Sequence, residues 1–99
     1  MPISGAIRHE SVSVAGTAVG LTVTPADGVR PMVAVISVEN AAIRFCVDGT
    51  TATSSVGHVA EHGDVIELVD PAELAQFSAI SKDGGAATLK VTQGTEHIA

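Results

Sequence analysis

Turn signals recur along the whole chain: Ala15-Gly16, Asp27-Gly28, Glu39-Asn40, Asp48-Gly49, His62-Gly63 and Asp83-Gly84-Gly85. Between them lie runs rich in Val, Ile and Thr, at about the 8–12-residue spacing of a sandwich or barrel. This spacing predicts strands near Ala6–Val14, Ala18–Thr24, Met32–Glu39, Ala42–Val47, Val65–Val69, Phe77–Ser81 and Ala87–Gln93. The expected fold is all-β: a small antiparallel β-sandwich or flattened barrel of about seven strands. At 99 residues it is one domain, with 1–5 and 94–99 expected to be flexible or partner-dependent.

Alternation of side chains supports most of these strands. Val19, Leu21 and Val23 share one face, as do Ile43, Phe45 and Val47, and Leu89 and Val91 alternate with Thr88, Lys90 and Thr92. The first strand changes phase between Ile7 and Val12, which predicts a bulge near Arg8–Glu10. Met32-Val33-Ala34-Val35-Ile36 does not alternate. A strand apolar on both faces is covered on both. Either it lies centrally in the sandwich, or its outer face meets another subunit through Met32, Val33, Val35 and Val38.

One helical turn is predicted at Pro71–Ala75. Asp70 suits the N-cap, Pro71 the first helical position and Glu73 a capping box, and Leu74 and Phe77 then share a face.

Hydrophobic residues make up 45% of the chain but aromatics only 2%, so the core is built largely from Ala and Val. Such a core gains less from burial than one anchored by rings, and a partner subunit is a common source of the missing stability. The net charge of −6 argues against binding through nucleic-acid phosphates, and the scarcity of aromatics argues against base stacking. The longest apolar run, Met32–Ile36, is far short of the ~20 residues of a membrane helix. No basic region precedes an apolar stretch near the N-terminus, so no signal peptide is expected.

Candidate chemistry is sparse. His58 and His62 are four residues apart, but glycines bracket the segment 57–63 and shorten any helix that could align them on a metal. A solvated loop is the favoured reading there. Cys46 beside Arg44 has no family-type His or Asn arrangement around it, so a small buried hydrophobe is expected rather than a nucleophile. The glycines form no phosphate-binding pattern, and Asp48-Gly49-Thr50 lacks the spaced acids of a calcium loop. No catalytic residue, metal or cofactor is expected, and the chain reads as a structural or binding module rather than an enzyme.

Residues 42–53, Ala42-Ile43-Arg44-Phe45-Cys46-Val47-Asp48-Gly49-Thr50-Thr51-Ala52-Thr53, continue into Gly57-His58 and Gly63-Asp64-Val65-Ile66-Glu67-Leu68. Further on come Phe77-Ser78-Ala79-Ile80 and Ala87-Thr88-Leu89-Lys90-Val91-Thr92. Together these resemble small β-sandwich virion proteins of tailed bacteriophages, over roughly residues 32–93. The resemblance implies a structural role in the virion, as a capsid decoration (cement), head-fibre or head–tail component. The leading expectation is decoration of the capsid exterior by binding the major capsid protein, as a homotrimer, with the acidic charge suiting an outer surface. A head–tail, collar or tail-associated protein is the alternative, and a carbohydrate-binding adhesion module a more distant one. Neither nucleic acid nor membrane is an expected partner. Within the shared motif, Asp48, Gly49, Thr50, Gly57, Gly63 and Asp64 are expected to form turns, with the Asp48 and Asp64 turns each returning the chain as a hairpin.

Overall fold

Residues whose side chains alternate between apolar and polar need a surface apolar on one side, and two such surfaces bury each other. A computed structural model describes residues 3–23 and 30–97 and shows this arrangement. The elements are β1 (Ile3–Val14), β2 (Val33–Glu39), β3 (Ile43–Cys46), β4 (His58–Ala60), β5 (Val65–Leu68), α1 (Pro71–Gln76), β6 (Ser78–Ser81) and β7 (Ala87–His97). They form two antiparallel sheets, one in the order β1-β7-β2-β5 and one in the order β4-β3-β6.

The two sheets enclose one core. Ala34, Ile36 and Val38 of β2, Leu89 and Val91 of β7, Ile66 and Leu68 of β5 and Val14 of β1 meet Ile43 and Ala79 from the second sheet. The rings of Phe45 and Phe77 stack with centroids 6.0 Å apart. Leu74 of α1 is buried over one end. Asp70 caps α1 by accepting from the Ala72 amide at 2.8 Å. Glu73 reaches back to the Val69 amide at 3.1 Å, one residue before the site of a standard capping box.

β2 has neighbours on both sides, so it is central in its sheet. Val38 shares the inward face of Ala34 and Ile36 and is 1% exposed, and Val33 is also buried. The strand therefore offers Met32, 39% exposed, and the half-buried Val35 to a second molecule, but neither Val38 nor Val33.

Residues 18–23 form no strand. Val19 makes a single bridge to Ala79, with two 2.9 Å backbone bonds, and Ala15 accepts from the Ser81 amide. Beyond that point side chains replace the ladder. The Thr22 carbonyl accepts from Arg8 Nη1 at 3.1 Å and Gln93 Nε2 at 2.7 Å, and its amide donates to Glu10 Oε1. Gly20 lies against the Phe77 carbonyl, where a Cβ would come within 3.1 Å. This segment closes the sandwich on the β6 side. Thr24 and the Asp27-Gly28 turn lie outside the described residues.

A further difference is β4, three residues within a stretch read as loop, paired to β3 through Ile43–Ala60, Arg44–Val59 and Phe45–His58. The register shift in β1 falls between Ala6 and Arg8, just before the expected bulge. Residues 3–5 and 94–97 belong to the β1–β7 ladder, in which Ile3 pairs with His97 and Ala6 with Gly94. Residues 1, 2, 98 and 99 lie outside the described residues.

Candidate functional site

The Asp48-Gly49-Thr50 half of the motif in residues 42–64 builds the loop between β3 and β4. Asp48 Oδ1 accepts from the Thr50 amide at 3.0 Å, which closes a side-chain turn, and Gly49 takes a φ of 92°. These hydrogen bonds, first from the Thr50 amide and then from its hydroxyl, hold the Asp48 carboxyl below its ordinary value of 3.8. Thr53 and Val56 bond each other across a tight turn, and Ser78 Oγ accepts from the Ala52 amide. Arg44, on the outer face of its sheet, donates from Nε to the Ser54 carbonyl at 2.9 Å and from Nη1 to the Gly57 carbonyl at 3.0 Å. Between this loop and the sheet lies a shallow depression of about 270 Å³, bordered by Cys46, Asp48, Val56 and His58.

The second half of the motif joins β4 to β5. Asp64 Oδ2 accepts from the Glu61 amide at 2.8 Å, and the Gly63 amide donates to the Val38 carbonyl. His62 Nδ1 accepts from the amide of Asn40, whose φ is 78°. This Gly-Asp turn is not a hairpin, because β4 and β5 belong to different sheets. It carries the chain back across the sandwich, and His62 ties it to the crossing between β2 and β3, which runs the other way.

Arg44, Asp48, His62 and Asp64 thus each hold backbone. His58 and His62 serve different neighbours, His58 lying 5.6 Å from the Phe45 ring. Among the described residues no three His, Cys, Asp or Glu side chains are grouped to hold a metal. Cys46 is a buried free thiol. No helix among the described residues is long and apolar enough to cross a membrane.

The apolar surface lies elsewhere. The sandwich is open on the side where β5 and β4 form the sheet edges. A groove of about 470 Å³ runs there between the sheets, lined by Phe45, Val47, Ile66 and Leu68 and rimmed by His58, Glu67 and Glu73. Beside it Val65 and Val69 are each 55% exposed, and Val59 of β4 and Val56 in the loop before it are also exposed. Sequence reasoning passed over these positions. The signal was the order Val65-Ile66-Glu67-Leu68-Val69, which sets two valines on the outward face once Ile66 and Leu68 turn inward.

Scans of protein-family models, of curated proteins and of solved structures found no match to this chain.

Proposed function

We propose that this protein is a capsid decoration protein of a tailed bacteriophage, bound to the outside of the head shell through the major capsid protein, as a homotrimer. The observation that supports the reading is the division of labour in the motif that resembles those of virion proteins. Arg44, Asp48 and Asp64 of the motif, with His62 beside them, fasten loops. The exposed valines and the apolar groove are left as adhesive surface. A module organised this way works by adding contact area. Spread across capsomer boundaries, that area raises the cost of separating shell subunits against the pressure of packaged DNA. The excess of 11 acidic over 5 basic residues suits a face turned to solvent rather than to DNA.

Attachment through apolar contact and shape predicts resistance to salt. At about 0.5 M NaCl exposed charges are screened beyond roughly 4–5 Å. Purified virions washed at that salt and sedimented are expected to retain the protein. Release of most copies would show an attachment held by exposed charge, and absence of the protein from the particle would refute the assignment.

A further inference from the structure

The first sheet ends at β5, which pairs with β2 and has no strand on its other side among the described residues. Val38 donates to the Asp64 carbonyl, and in that register Ile66 and Leu68 direct their backbone groups at β2. Alternation then turns the N–H and C=O of Val65 and Glu67 outward. The Val69 amide also points away from β2, and Glu73 takes it. An exposed edge with apolar side chains is a ready template for another strand. The inter-sheet groove opens directly beside it, with Phe45 in its wall.

Charge decides which strand fits. Residues 61–73 contain Glu61, Asp64, Glu67, Asp70 and Glu73 and no Lys or Arg. A second copy pairing antiparallel on β5 matches Val65 with Val69 in one register only, and that register sets Glu67 against Glu67. Like charges directly opposite are destabilising. A one-residue slip exchanges the faces, and a two-residue slip sets valine against glutamate. A basic residue opposite Glu67 removes the conflict.

We propose that the free edge of β5 accepts an extended segment of a partner protein with a basic residue opposite Glu67 and apolar residues on either side. The partner's backbone pairs with Val65 and Glu67. Two of its apolar side chains lie outward on Val65 and Val69, and the two next to the basic residue point into the groove toward Phe45. This is strand addition, in which main-chain bonds give affinity and alternate side chains give specificity. The inference holds whether or not the partner is a capsid protein.

The test uses the full chain and two short fluorescent peptides that share a core of Val-Leu-Lys-Leu-Val or Val-Leu-Glu-Leu-Val. The Lys peptide is expected to bind the native protein at least about tenfold more tightly than the Glu peptide, with Glu67→Lys reversing the order. Amide exchange at Val65 and Glu67 is expected to slow on binding, and N-methylation of the peptide along one edge to abolish it. Failure of both peptides to bind would overturn the proposal, as would binding that leaves those two amides unprotected. A dimer of the native protein with the same amides protected would also overturn it, by making the occupant a second copy. Glu67 is exposed, so its variant is expected to keep the native circular dichroism spectrum.

Discussion

Arg44 holds Gly57: its Nη1 donates to the Gly57 carbonyl at 3.0 Å, while Nε of the same guanidinium reaches Ser54 at 2.9 Å. One planar group therefore fastens the far end of the loop 47–57 to the strand that precedes it. Arg44→Ala is expected to cost about 2 kcal/mol, the scale of hydrogen bonds to a charged group, and to lower Tm by roughly 10 °C. Arg44→Lys should recover little, because an ammonium cannot reproduce the fixed fork of a guanidinium. Thermal unfolding followed by circular dichroism measures both. A Lys variant as stable as the native protein would mean that charge alone matters there.

Gly57 and Gly63 separate two reasons for glycine. Both have positive φ, 129° and 93°. A Cβ at Gly63 meets open space, whereas at Gly57 it meets the Phe45 backbone O and N at 3.0 and 3.1 Å. Gly63→Ala is expected to cost about 1–2 kcal/mol of backbone strain. Gly57→Ala should cost about 2 kcal/mol more, because Phe45 cannot retreat without disturbing its pairing with His58 and Ala79. Equal losses in urea denaturation would contradict the close approach.

Gln93 is fully buried and joins the two ends of the chain's first third: it donates to the Thr22 carbonyl and accepts from Arg8 at 3.1 Å. Gln93→Leu is expected to destabilise by about 2 kcal/mol, by stripping those bonds inside the protein. Faster amide exchange at residues 19–23 should accompany it, since these residues have side chains in place of a strand ladder.

Asp48 makes the acid limb of stability testable. Its folded carboxyl titrates below the ordinary 3.8, mainly through the Thr50 amide. The folded state thus prefers the ionised form. The contribution is complete above the unfolded value and is lost as pH falls through the lower folded one. Asp48→Ala should therefore lower Tm at neutral pH, with the gap to the native protein narrowing below pH 3.8. A gap that widens in acid would reverse the sign.

The legible parts of the fold are those encoded locally. Leu89 and Val91 alternate with threonines and lysine and form β7; Asp70, Pro71 and Glu73 announce α1. The turn residues Asp48, Gly49, Gly57, Gly63 and Asp64 were readable because each turn carries its own chemistry. The parts that could not be read depend on distant partners. Residues 18–23 have strand-like alternation, but Arg8 and Gln93 take the Thr22 carbonyl. β4 is too short for a pattern and exists through Phe45, Arg44 and Ile43. Val38 follows the non-alternating run Met32–Ile36 and groups by sequence with its outer face, whereas its register opposite the buried Leu89 turns it inward. The exposed edge of β5 is a property of strand order, which no local pattern states.

The central claim, a shell-bound virion protein, is tested most directly by counting. Quantitative mass spectrometry of purified virions, scaled to the major capsid protein, is predicted to find hundreds of copies per particle. A dozen or fewer would contradict decoration and place the protein at the portal, collar or tail, and none at all would remove it from the virion.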